Sequence, residues 1–142
     1  MDYLYPVDVS IDEEGFHLVI FPDFPECATD GKTRAEALRE AVDALEEAIA
    51  GRICEKEDIP VASPRRGRPV VAPGARIAAK VALYEAFREA RISKAELARR
   101  LGVDKREVHR LLDPRHGSSL DRLDEAVRAL GRRLVVGWRG AA

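Results

Sequence analysis

The chain has 142 residues, 46% of them hydrophobic and 35% charged, which is enough for one ordinary globular domain or two very small ones. No apolar run reaches the roughly 18 to 20 residues that a membrane-spanning helix needs, and no basic segment precedes an apolar one at the start. Neither a membrane nor a secretory signal is expected, and the cytoplasm is the expected compartment. The net charge of −1 conceals a split: residues 1–60 hold 16 acidic and 5 basic side chains, whereas residues 61–142 hold 9 acidic and 19 basic ones. Such an asymmetry suits two modules with different partners, a polyanion for the basic half and a basic protein for the acidic half. Cys27 and Cys54 lack CxxC spacing, so reduced thiols are expected rather than a disulfide or a metal site.

"YPVDVSID" alternates, with Tyr5, Val7, Val9 and Ile11 on one face and Asp8, Ser10 and Asp12 on the other, the period of a half-buried strand. "EEG" supplies a turn and "FHLVIF" a second strand, completing a hairpin. Pro22 and Pro25 cannot donate to a ladder, so pairing should weaken after Phe21 and leave backbone groups exposed around residues 22–31. "TRAEALREAVDALEEAIAGRI" reads as an amphipathic helix. Thr33 and Glu36 have capping-box spacing, and Ala35, Leu38, Ala41, Val42, Leu45, Ala48, Ile49 and Ile53 form its buried stripe. The proline- and arginine-rich "PVASPRRGRPVVAPG" contains the linker, although Val70 and Val71 can add a sheet strand before it. "ARIAAKVALYEAFREA" predicts a second helix, with Ile77, Val81, Leu83, Tyr84 and Phe87 spread over more than one face.

"KAELARRLGVDKREVHRLL", residues 94–112, is the most specific motif. A helix-turn-helix needs a small residue where its helices cross, a glycine at the left-handed turn, and apolar residues holding the pair together. Ala98 and Gly102 fill the first two roles, and Leu97, Leu101, Val103, Val108 and Leu111 the third. The second helix then turns Lys105, Arg106, His109 and Arg110 outward, where Arg and Lys can pair with guanine edges or bind phosphates. Lys94, Arg99 and Arg100 on the preceding helix are candidates for phosphate contacts. "SSLDRLDEAVRALGRRL" predicts a further helix capped by Ser118 or Ser119, and "RLVVGW" a short terminal strand that needs a partner, such as a strand of a second subunit.

"FPDFPECATDGKTRAEAL" resembles the signature of the HicB-like antitoxins: a strand ending in a proline-acid-proline turn, a small residue, a glycine and a Thr-initiated helix. Pro22, Asp23, Pro25, Cys27, Thr29, Gly31, Thr33, Glu36, Ala37 and Leu38 carry the match, while Glu26 stands where the family often has glycine. The second half is similar to the phage-repressor type of helix-turn-helix that one branch of the family carries. The resemblance implies a partial ribonuclease-H-like domain without catalysis over residues 1–73. It also implies a HicA-like toxin, a small basic ribonuclease acting on messenger RNA, as the partner which that domain occludes. A DNA-binding and dimerising domain that recognises operator DNA would then span residues 74–142. The expected fold class is α+β: a small antiparallel sheet with a packed helix, then an all-α helix-turn-helix domain with a short C-terminal strand.

The expected assembly is a homodimer or a higher homo-oligomer. Asp8, Asp12, Asp23, Glu26 and Asp30 are the candidate contacts to a basic toxin, since complementary charge steers such a partner. A freestanding transcriptional regulator, whose acidic domain senses a ligand or another protein, is the competing reading. A metal nuclease built on Asp8, Asp12 and Asp23 fits less well, because strand neighbours four residues apart lie ~13 Å apart at ~3.3 Å per residue, too far to share one ion. No catalytic residue, metal or cofactor is expected.

Overall fold

A computed structural model describes residues 2–140, which divide into two compact units, residues up to Gly74 and residues from Ala75 onward. In the first unit, β1 (Tyr5–Pro6) pairs antiparallel with β5 (Val70–Val71). Strands β2 (Asp8–Ile11), β3 (His17–Ile20) and β4 (Ala28–Gly31) form a separate antiparallel sheet in the order β2-β3-β4. The single strand expected over residues 5–12 is therefore two, changing partners at Val7, whose N–H goes to the Pro69 carbonyl at 3.0 Å. Burial fades along it, from Tyr5 and Val7 to an Ile11 that is 66% exposed. The expected "EEG" turn is held by Asp12, whose Oδ1 accepts the N–H groups of Glu14 and Phe16, both at 2.9 Å, while Gly15 adopts φ 89°.

Helix α1 (Arg34–Cys54) begins at Thr33, whose hydroxyl accepts the Glu36 N–H at 3.1 Å. Its buried seam is Ala37, Ala41, Leu45 and Ile49, joined by Ala50 and Ile53. Ala35 is exposed, contrary to the expected stripe, and Leu38, Val42 and Ala48 are only half-buried. The phase is set at Gly31: a Cβ there would lie 2.5 Å from the Ala37 nitrogen, so β4 reaches α1 backbone to backbone and Ala37 faces the sheet. Opposite residues of the register share a sheet face. Val9, Val19 and Thr29 thus lie on the helix side together with Gly31, and Asp8, Ser10, Leu18, Ile20, Ala28 and Asp30 on the other.

In the second unit, α2 (Ala75–Ala90), α3 (Lys94–Leu101), α4 (Lys105–Leu112) and α5 (Leu120–Ala129) surround two small cores. Ala79, Leu83, Leu111, Leu123, Ala126 and Val127 form one; Leu97, Ala98 and Val108 form the other, with Phe87, Leu101 and Val103 packed against it. α3, α4 and α5 start at Ser93, Asp104 and Ser119, each side chain accepting a backbone N–H three residues on. Gly102 ends α3 in the left-handed region at φ 66°, and Val103 N–H returns to the Ala98 carbonyl at 3.1 Å.

The expected C-terminal strand is absent among the described residues: 132–140 form no ladder, and Val135, Val136 and Trp138 are exposed. A strand exists only through its partner's hydrogen bonds, and a single chain offers this tail none. No helix among the described residues is long and apolar enough to cross a membrane.

Candidate functional site

Two exposed charged surfaces are the candidates, one on each unit. On the second, α3 and the eight-residue α4 are joined by a three-residue turn. Val108 and Leu111 bury the underside of α4, which turns Lys105, Arg106, His109 and Arg110 to solvent. Lys94 at the start of α3 meets His109 on α4, Nζ to Nδ1 at 3.2 Å. An ammonium can only donate, so Nδ1 is the acceptor in this contact. Arg99 pairs with Glu96 at 2.6 Å and Arg100 with the same carboxylate at 3.2 Å. Those hydrogen bonds, Arg99 first, hold the Glu96 carboxyl down to about 2, and Glu96 in turn raises the Arg99 guanidinium. Arg100 also reaches the Ala129 carbonyl at 3.3 Å, linking α3 to α5.

Arg106 lies 3.8 Å from Asp104 and Arg110 3.5 Å from Glu107. The Asp104 carboxyl is held low mainly by the Glu107 N–H that it caps. Exposed pairs of this kind contribute little to stability, because water screens them. They hold the arginines loosely, so either can be exchanged for another anionic partner.

The acids of the first unit are dispersed. Asp23 accepts the Ser63 N–H at 2.9 Å and the Ser63 hydroxyl, pinning the loop over residues 60–69. Glu26 forms a two-point pair with Arg52 at 2.8 and 2.9 Å, and the Arg52 guanidinium lies 5.0 Å above the Phe24 ring. Asp12 is occupied in its turn. Asp8 sits 3.6 Å from Arg68, and both Asp8 and Asp30 lie on the outward face of the three-stranded sheet, flanking Leu18, Ile20 and Ala28. Beside the outer edge of β2 runs an open groove of about 480 Å³ whose lining includes His17, Arg34 and Arg68.

The "FPDFPEC" segment is anchored from inside. Phe21 and Phe24 are fully buried, with Phe24 edge-on to Tyr5 at 4.9 Å. Phe24 N–H returns to the Phe21 carbonyl at 3.1 Å, and Cys27 N–H to the Phe24 carbonyl at 2.8 Å. The backbone expected to be left unpaired there is in good part satisfied by these turns. Burial, and secondarily Glu26, pushes the Cys27 thiol up to about 11, which keeps it protonated and poorly nucleophilic. Among the described residues, no three His, Cys, Asp or Glu side chains gather as metal ligands.

The family model for HicB-like antitoxins of bacterial toxin-antitoxin systems matches residues 4–82. This chain belongs to the HicB-like antitoxin family. It is 39% identical over 132 residues to Antitoxin HicB 1 of Photorhabdus laumondii, covering 93% of this chain and 84% of that protein. It is 38% identical over 133 residues to Antitoxin HicB of Escherichia coli K12, covering 93% and 96%. To Antitoxin HicB of Pseudomonas fluorescens it is 36% identical over 139 residues, covering 96% and 94%. The similarity to these HicB antitoxins extends beyond the matched range into the second unit. The family is regulatory rather than enzymatic, and membership implies a toxin as the partner.

Three residues of this antitoxin that structure the candidate surfaces went unread in the sequence. Arg52 is the cation in the last turn of an acidic helix, which was a signal of a pair with an acid elsewhere in the chain. Ser63 carried no signal, because its partner Asp23 lies 40 residues away. Lys80 interrupts the apolar run "IAAKVALY"; it is 2% exposed, and burial brings its ammonium down to about 8.

Proposed function

We propose that this antitoxin neutralises a HicA-like, messenger-RNA-cleaving toxin by direct binding through its acidic first unit. Its basic second unit, in this reading, represses the operon by binding operator DNA as a homodimer in the cytoplasm. The observation that carries the DNA half is α4. Its apolar side is locked into the core, its start is capped by Asp104, and its free side presents Lys105, Arg106, His109 and Arg110, with Lys94 of α3 beside His109. That arrangement supports a helix-turn-helix reading, with cations on the side where bases and phosphates would lie. Binding to a palindromic site needs two copies, and the exposed branched run ending in Trp138 is the surface favoured for pairing them.

The toxin half rests on family membership and on the charge split, since a ribonuclease toxin must itself be basic to hold RNA. The structure alters which acids to test. Asp12, Asp23 and Glu26 fasten their own loops, so replacing them would confound folding with binding. Asp30 and Asp8, on the outward sheet face beside exposed Ile20, are the better probes.

Gel-shift titration of the promoter region tests the DNA half: Arg106→Ala or Arg110→Ala should weaken specific binding by about 1 to 3 kcal/mol. Co-expression with the adjacent gene product tests the other half. The wild-type antitoxin should restore growth and Asp8→Lys/Asp30→Lys should not, while still shifting DNA. Loss of both activities together would argue against separate surfaces.

A further inference from the structure

A buried lysine stands behind the cationic face of α4. Lys80, on α2, donates from Nζ to the Arg110 carbonyl at 2.9 Å, the Leu111 carbonyl at 3.0 Å and the Ser118 hydroxyl at 2.8 Å. Two of its three acceptors are carbonyls of the last turn of α4: the Arg110 carbonyl, which also takes the capping Asp113 N–H at 3.3 Å, and the Leu111 carbonyl, one of the end groups that lack an intrahelical donor. The third is the buried Ser118, one residue before the α5 cap, so one ammonium ties the end of α4 to the start of α5. A cation at a helix C-terminus is also the favourable sign for the helix dipole.

We infer that Lys80 is a positioning residue for DNA recognition: its ammonium fixes the backbone at Arg110 and Leu111, and so sets the pose in which α4 presents Arg106 and Arg110. The inference rests on the DNA-binding reading given above. The chemistry follows from donor count. An ammonium has three N–H donors for three acceptors; a neutral amine has two and a lone pair, so one acceptor is lost or the Ser118 hydroxyl must reverse. The ammonium of Lys80 is brought down to about 8, mostly by burial. The charged groups around it are Arg76 on α2, which lowers it further, and Glu107 on α4 and Asp113 beyond α4, which oppose the fall. His116 also faces the site, with Nδ1 3.5 Å from the Ser118 hydroxyl. The clamp therefore changes its donor count just above neutral pH.

The test is operator affinity of the full chain between pH 7 and 9, measured on a duplex of its own promoter region. Wild-type affinity should fall across that interval. Lys80→Met, which keeps length but no donor, should bind on the order of tenfold more weakly at pH 7, because the Leu111 carbonyl and the Ser118 hydroxyl lose their buried donor and the Arg110 carbonyl keeps only the Asp113 N–H, and its affinity should not change with pH. Ser118→Ala is the second variant, needed if Lys80→Met does not fold. It leaves two acceptors for the two donors of the neutral amine, so its affinity should stay nearly level where the wild type falls. Wild-type binding that does not change with pH, or a Ser118→Ala profile that follows a falling wild type, overturns the inference while the DNA-binding reading stands. Absence of salt-sensitive binding by the wild type at every pH would remove that reading, and the inference with it.

Discussion

Gly31→Ala and Gly51→Ala are the same chemical change and should have opposite effects. At Gly31 the new Cβ would lie 2.5 Å from the Ala37 nitrogen, 2.9 Å from its Cα and 3.0 Å from the Glu36 carbonyl carbon. Non-bonded heavy atoms settle at about 3.5 to 4.0 Å, so the strand and the start of α1 must part by about 1 Å. All three obstructing atoms are backbone, and no rotamer change relieves them. Parting the two elements also loosens Ala37 and Ala41 in the seam, which are fully buried. Overpacking of this kind costs about 1 to 3 kcal/mol, and a backbone obstruction belongs at the upper end. At Gly51, inside α1, the Cβ meets nothing within 4 Å. Alanine is better in a helix interior by about 1 kcal/mol, so this change should stabilise. Urea unfolding of the full chain by far-UV circular dichroism gives the order, and amide exchange in β4 and α1 assigns it to the first unit. A wild-type midpoint for Gly31→Ala, or a lower midpoint for Gly51→Ala than for Gly31→Ala, would refute the packing argument.

Three further outcomes are expected. Lys80 has an ordinary value of 10.5 in the unfolded chain and about 8 in the fold, so the unfolded state binds the extra proton between those limits; its contribution to stability should rise with pH over that window, by up to roughly 3 kcal/mol, seen as the difference between wild-type and Lys80→Met unfolding curves. Titration with a thiol reagent at pH 8 should label exposed Cys54 quickly and buried Cys27 only as fast as the fold opens, and Cys54→Ser should abolish the fast phase. If the tail pairs the copies of the proposed homodimer, truncation after Gly131 should lower the mass by light scattering from that of a dimer to that of a monomer, whereas an unchanged mass would take the tail out of the subunit contact.

Much of this antitoxin was legible in its sequence because the information is local. Helix periodicity, the caps at Thr33, Ser93, Asp104 and Ser119, and Gly102 at its left-handed turn are all read within a few residues, since an apolar stripe and a capping side chain act on backbone one turn away. The extents of α1 and α2 and the buried side of α4 follow from that, and so does the outward placing of Lys105, Arg106, His109 and Arg110. Tertiary structure decided what depends on residues far apart in the chain. It divided the first strand by bringing Val70 and Val71 alongside Tyr5 and Pro6, and it rotated α1 so that Ala37 rather than Ala35 meets the sheet at Gly31. It turned Asp23 and Glu26 from free acids into fasteners by supplying Ser63 and Arg52, and it buried Lys80 beneath the end of α4. A charge reads the same in sequence whether it faces water or a carbonyl; only the fold supplies the partner, and the partner decides whether that charge binds another molecule or holds its own chain together.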